Sequence, residues 1–379
     1  MTRRVPLLLV LTGLTLAACG GSASLAVKPA APPVKAADPE AARLYLDAVK
    51  QLSAKDSASE GRALAGFEQA LQKDPQLWEA HYNAGVVLRR RGELRKALPH
   101  LEAAHRSAPG EGEPLIALAE VQHALGEREE AADLLAEYVQ EHPDANAVRI
   151  ALTAVLREQG EYDKALTRAR EALVREPANV QALLEVGRIY RARGDLDVAE
   201  LVFEKVLALD PKSATAHNDL GLLALARGDT QRAFDEFDKA GRHDERFTPA
   251  RLNRASVLLR AGDYAAARGE YEKVLSVAPD TLDARVALGI CLRGLNKQAE
   301  AEAEYQKALA AAPNHAAALF NLAVLRAEFQ SRPGDALPLF ERYLEVSASD
   351  DPQRKQAERY VTDLKAQASA PAASAKEAP

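Results

Sequence analysis

"GDYAAARGEYEKVLSVAP", Gly262 to Pro279, matches "GDLDVAELVFEKVLALDP", Gly194 to Pro211, at eight of 18 positions. Neither copy holds a nucleophile, a metal-ligand pair or a phosphate-binding loop, so the thing repeated is a structural unit. Prolines 75, 109, 143, 177, 211, 279 and 313 fall on one fixed interval, that from Pro75 to Pro109, with a single slot passed over where Glu245 stands in place of proline. Gly85, Ala119, Thr153, Gly187, Gly221, Ala255, Gly289 and Ala323 keep the same interval, as do Ala97, Ala131, Ala165, Ala199, Ala233, Ala267 and Ala301. Small residues at fixed points of a period of about 34 mark two helices that approach closely and recur as a pair.

Composition agrees with this. The 379 residues are 47% hydrophobic but only 5% aromatic, with Ala and Leu dominating, which is a helix-forming vocabulary. The formal charge of −6 offers no basic excess to attract a phosphate backbone, so no nucleic-acid partner is expected. Gly92, Gly126, Gly160, Gly194, Gly228 and Gly262 end the first helix of each pair, with Asn296 in the seventh copy; these residues tolerate the left-handed conformation a helix end requires. Glu93, Glu127, Glu161, Asp195, Asp229 and Asp263 follow, where a negative charge favours the start of the second helix.

The pattern of a small residue at position 8, Ala at 20, an aromatic at 24 and Pro at 32 resembles the tetratricopeptide repeat (TPR), over about residues 44–348. The resemblance implies an all-α superhelical solenoid of eight to nine helix pairs. In that family, the inner surface is lined by first-helix positions 2, 5, 9, 12 and 13. Carried over, position 5 supplies Tyr82, Ile116, Ile150, Leu184, Leu252 and Phe320, and position 12 supplies Arg89, Arg157, Arg191 and Arg293. One row is apolar and the other partly basic, which suits an extended or helical segment with apolar anchors and acidic residues.

The ends read differently. Residues 44–77 form a divergent first repeat with Gln51 at the small-residue position, and residues 78–351 form the regular array. Asp351 and Pro352 start a capping helix over 352–367 with the stripe Ala357, Tyr360, Val361 and Leu364, and residues 368–379 form a disordered Ala/Ser/Pro tail. Irregular loops are expected at "GRHDERFTP" (Gly241 to Pro249), which lacks the proline, and at "FQSRPGDA" (Phe329 to Ala336), which carries one extra residue.

At the other end, Arg3 and Arg4 precede the apolar run Val5 to Leu16, too short to span a bilayer as a permanent helix, and then Ala17, Ala18 and Cys19. "LAAC" resembles the lipobox of bacterial lipoproteins. That implies a signal peptide over 1–18, acylation of Cys19 and, because Gly20 rather than Asp follows, the outer membrane facing the periplasm in a diderm host. Residues 19–43 then form the lipidated Cys and a flexible Gly/Ala/Ser/Pro linker, with a typical span of roughly 25 Å for about 20 residues.

No catalytic chemistry emerges. Cys291 falls at a position otherwise held by Val87, Val121, Val155, Ile189, Leu223, Val257 and Leu325, which marks it as a core residue. The histidines show no i, i+4 pair and no HExxH, so no metal, cofactor, small-molecule substrate or enzymatic activity is expected. The combination of lipobox and repeats resembles pilotins of type IV pilus and secretion systems and lipoproteins of gliding-motility complexes. It implies a scaffold for another envelope protein, with exopolysaccharide export or an adaptor for cell-wall enzymes as the alternative.

Overall fold

The computed structural model describes residues 38–52 and 57–369. The expected signal peptide, Cys19, most of the linker and residues 370–379 of the tail lie outside the described residues. Among the described residues there are nineteen α-helices, one π-helical turn and no strand. The helices run in pairs: α1 (Pro39–Gln51) with α2 (Ser57–Lys73), α3 (Trp78–Arg90) with α4 (Leu94–Ser107), α5 (Gly112–Leu125) with α6 (Arg128–Glu141), and α7 (Asn146–Glu158) with α8 (Tyr162–Arg175). They continue as α9 (Val180–Arg193) with α10 (Leu196–Leu209), α11 (Ala214–Ala226) with α12 (Thr230–His243), and α13 (Thr248–Arg260) with α14 (Tyr264–Val277). Last come α15 (Leu282–Gly294) with α16 (Gln298–Ala311), α17 (Ala316–Val324) with α18 (Pro333–Val346), and a single α19 (Arg354–Ser369).

The repeat positions do what their spacing requires. Gly92, Gly126, Gly160, Gly194, Gly228 and Gly262 have φ between +74° and +94°, and Asn296 has φ +59°. In each of these turns the next residue donates its N–H to a carbonyl five residues back, as Glu93 does to Leu88 at 2.9 Å and Lys297 to Leu292 at 2.8 Å. The acids that follow act in two ways. Asp229 and Asp263 cap the next helix through their side chains, accepting from the N–H groups of Arg232 and Ala266, whereas Glu93, Glu127, Glu161 and Asp195 make no capping bond and contribute charge alone. Glycine at position 8 is a matter of space. A Cβ on Gly187 would lie 2.4 Å from the Phe203 ring, and one on Gly289 2.4 Å from that of Tyr305.

Two compact units make up the chain, one ending at Glu236 and the other beginning at Phe237, within α12. In the first, like helices of successive pairs meet along the first helices: α3 with α5, α5 with α7, α7 with α9 and α9 with α11. In the second, α15 meets α17 in the same way. The cores are strings of small clusters, each filled by neighbouring pairs, such as Leu183, Leu184, Phe203, Val206 and Leu220 across α9, α10 and α11. This is the nearest-neighbour stacking of a repeat array.

Three readings of the sequence need correction. The first helix begins at Pro39, N-capped by Asp38, so residues 39–43 are helical and not linker. Its small residue is Ala48, 2.7 Å from a Cβ on Gly66, rather than Gln51. Ala48 lies further ahead of the buried Ala63 than Gly85 does ahead of Ala97, so a longer connection slid α1 out of the repeat frame. The segment lacking proline is a regular turn: Asp244 N–H donates to Ala240 and Phe247 N–H to Asp244, the same bonds that close the turn at Ala312 and His315. By contrast the extra residue near Phe329 is absorbed as the π-helical turn Leu325–Phe329, with Ser331 at φ +52°. Ala336, fully buried, then takes the alanine position one residue late.

A recurrent tie was not read from the sequence at all. At position 4, His81, Arg149, Arg251 and Arg285 each reach back six residues to the carbonyl of Pro75, Pro143, Glu245 and Pro279, at 3.2, 2.5, 3.1 and 2.7 Å. Arg251 and Arg285 also pair with Glu270 and Glu304 on the second helix of their own pair, and His217 with Glu236. The bond uses the carbonyl, not the ring, of the position-32 residue, so Glu245 serves as well as proline and the turn keeps its shape. At the C-terminus, α19 starts at Arg354, two residues later than expected. Its Ala357 and Leu364 are buried and its Tyr360 stacks on Phe340 with ring centroids 4.5 Å apart, covering the apolar face of α17 and α18.

Candidate partner-binding face

The surfaces to consider are the first helices of each unit, taken separately. Of the apolar residues expected there, Tyr82, Ile116, Leu184 and Phe320 are buried, while Ile150 and Leu252 are half-buried. Their main contacts are internal: Tyr82 lies beside Trp78 at 6.5 Å, Leu184 joins the Phe203 cluster, and Phe320 packs against Phe340 and Tyr343 at 5.8 and 5.3 Å. This row leaves only small apolar edges at the surface.

The basic row is half-buried, and three of its four arginines have internal partners. Arg89 pairs with Glu120 on the next first helix. Arg157 donates from Nε to Glu185 at 2.9 Å and also pairs with Glu158 at 3.1 Å. Arg188, one turn from Glu185, donates to it at 2.7 Å and to Asp219 on α11 at 2.8 Å. Arg293 lies 5.5 Å over the Phe329 ring. His123 pairs with Glu158 in the same manner. Thus Arg157, Glu185, Arg188 and Asp219 form one chain of alternating charge across α7, α9 and α11, and the last three are fully interior, at 6%, 4% and 2% exposure.

Electrostatics follow from this arrangement. Burial pushes the Glu185 carboxyl upward, but Arg188 and Arg157 outweigh it and hold the group below the ordinary carboxylate range. Burial likewise opposes the charge on Arg188, which Asp219 and Glu185 restore and strengthen. Arg191 differs. Burial dominates and its guanidinium is held below its usual range. Among the described residues the Arg191 guanidinium makes no hydrogen bond or ion pair, and its Nε is buried without an acceptor.

Glu185, Arg188 and Asp219 were missed in the sequence because charged residues on a helix are ordinarily solvated. The available signal was spacing: Glu185 and Asp219 are separated by the same interval as the prolines, one repeat, and are hence stacked on one face. Cys291 is fully buried, and burial raises its thiol to about 12, which leaves no thiolate for chemistry at neutral pH. Among the described residues no group of three or more His, Cys, Asp or Glu is placed to hold a metal ion, and no helix is long and apolar enough to cross a membrane.

A repeated helix pair closed by left-handed glycines and packed small residue against aromatic defines a class, the helical repeat proteins. Two tetratricopeptide-repeat family models match residues 61–112, 155–214, 187–245, 252–316 and 294–353, and residues 88–155, more than half of the chain. The chain belongs to the tetratricopeptide-repeat family, whose members generally serve as protein–protein interaction scaffolds. No curated protein matches it. Among solved structures it is similar to a tetratricopeptide repeat protein from Parabacteroides merdae, at 19% identity over 67% of this chain and 98% of that one, TM-score 0.44. It is also similar to YrrB, described as a TPR protein with an unusual peptide-binding site, at 20% identity over 50% and 97%, TM-score 0.42. Yeast Tom70 aligns at 14% identity over 87% and 96%, TM-score 0.42.

Proposed function

We propose that this protein is a lipid-anchored scaffold of the bacterial outer membrane, facing the periplasm, whose first-helix face holds a segment of another envelope protein. The role is non-catalytic: it supports assembly of a multiprotein motility, pilus or secretion machine. The observation that carries the reading is the joining, in one chain, of the lipid-attachment motif "LAAC" to an array of interaction repeats. Acylation of Cys19 by more than one chain makes the attachment stable rather than transient, and the Gly/Ala/Ser/Pro stretch that follows gives the repeats reach from the membrane. The experiment is a Cys19→Ala variant expressed in the native host and fractionated. Release from the outer-membrane fraction, with loss of labelling by a palmitate analogue, is the expected outcome; retention in that fraction ends the lipoprotein reading.

A further inference from the structure

We propose that Arg191 is the anion socket of this face, taking a Glu or Asp side chain of the partner segment; the proposal rests on the binding role given above. Along α7, α9 and α11 two inward arginines, Arg157 and Arg188, are each met by an acid from the next first helix. Arg157 at position 12 is met by Glu185 on α9. The same step from Arg191 leads to Asp219, but Asp219 is already held by Arg188 at 2.8 Å. The buried part of the cluster therefore carries three guanidinium groups (Arg157, Arg188, Arg191) against two carboxylates (Glu185, Asp219), and the surplus charge sits on Arg191. Exposed Glu158 is engaged on the far side by Arg157 and His123.

An unpaired, half-desolvated guanidinium is the state a carboxylate relieves best, because the planar fork takes two oxygens at once. The surplus is a single positive charge, which matches a carboxylate; a dianionic group would meet the repulsion of Glu185 and Asp219. Next to Arg191 in the chain Ala192 is exposed, and one repeat further, at the corresponding positions of α11, Leu225 is half-buried and Ala226 exposed. A partner segment seated on these residues would carry a small or apolar residue next to its acid.

The test is selection of displayed random peptides on the immobilised full chain, followed by affinity measurements on the wild type and on Arg191→Gln. Arg191 has no internal bond to lose, so the variant keeps the helical circular dichroism and melting temperature of the parent. Supporting results are selected peptides sharing an acidic position, about tenfold or more weaker binding to Arg191→Gln, and no further loss when that acid is changed to its amide. Peptides that crosslink to the first helices but carry no shared acid, or bind Arg191→Gln equally well, overturn the socket and leave the binding face standing. Absence of any peptide that crosslinks to the first helices overturns both.

Discussion

At two interior positions the first helices carry charge in α9 and α11 and neutral side chains in α13, α15 and α17, although the backbone plan is the same. Glu185, Arg188 and Asp219 are 6%, 4% and 2% exposed; at the corresponding positions Asn253, Ala287 and Asn321 are 3%, 2% and 7% exposed, and Ser256, Ile290 and Val324 are 7%, 8% and 7%. The fold fixes burial at these positions and leaves the chemistry open. A neutral side chain can then be changed by itself, whereas a buried charge depends on every partner it has.

The strongest way to break this contrast is to remove one member of the charged chain. Arg188→Met strands Asp219 in the interior, leaves Glu185 with Arg157 alone and should cost about 3–5 kcal/mol, while Ile290→Val at the same repeat position should cost about 0.5–1.5 kcal/mol. Replacing all three charges together by apolar residues of similar volume should cost far less than Arg188→Met alone. Denaturant unfolding combined with hydrogen exchange of the α9 and α11 amides measures each. Equal costs for Arg188→Met and Ile290→Val would mean that water already reaches the cluster. The same coupling makes charge reversal of Arg89 and Arg157 a poor probe of binding, since it sets Glu against Glu120 and Glu185 and disturbs the fold first.

Next in size is Gly289→Ala. The new Cβ would stand 2.4 Å from the Tyr305 ring, which is fully buried and must shift. A loss of about 1–3 kcal/mol is expected. Gly262→Ala meets no atom within 4 Å, and any loss there comes from its φ of +79°. If the two variants melt together, helix approach is not what position 8 controls.

These positions show what was legible in the sequence. The period, the left-handed turns and the close helix approach at the small residues could be read because each is carried by a residue whose conformational or steric property is rare. The displaced α1 could not, because a longer connection changes the frame without leaving a motif. Nor could the ion chain: a lone Glu or Arg on a helix looks solvated, and its burial depends on which residue the neighbouring repeat places opposite. The apolar residues carried over as a groove lining are occupied mainly with packing, since a residue on a first helix also meets the adjacent helix.

A pH series sharpens the comparison within the charged unit. Glu79 is 1% exposed and both of its carboxyl oxygens lack a partner, so burial, reinforced by Asp74 and Glu111, raises it above its ordinary 4.5. A raised carboxyl binds its proton more tightly in the folded state; its contribution is fully favourable below the unfolded value and is lost as pH rises through the folded one. Glu79→Gln should therefore melt a few degrees higher than the parent at pH 7, the gap closing below about pH 4. Glu185, held low by two arginines, works in the opposite direction, and its contribution disappears on acidification. A Glu79→Gln advantage that did not shrink in acid would mean that packing, not ionisation, was changed.

The smallest effect concerns two tyrosines at the same repeat position in the second unit. Tyr271 Oη lies 3.4 Å from Ser256 Oγ, whereas Tyr305 Oη is buried with no partner and its ring is fully covered. Other repeats place Phe203 and Phe340 there, so the site accepts a ring without a hydroxyl. Removing an unpaired hydroxyl ends a desolvation penalty, while removing a paired one leaves Ser256 unsatisfied. Tyr305→Phe should accordingly be neutral or stabilising by up to about 1 kcal/mol, and Tyr271→Phe should cost about 0.5–1.5 kcal/mol. Both variants keep the aromatic packing, so the difference between their unfolding midpoints isolates the hydroxyl. Reversal of that order would place a hydrogen-bonded water on Tyr305 and make this part of the neutral core polar after all.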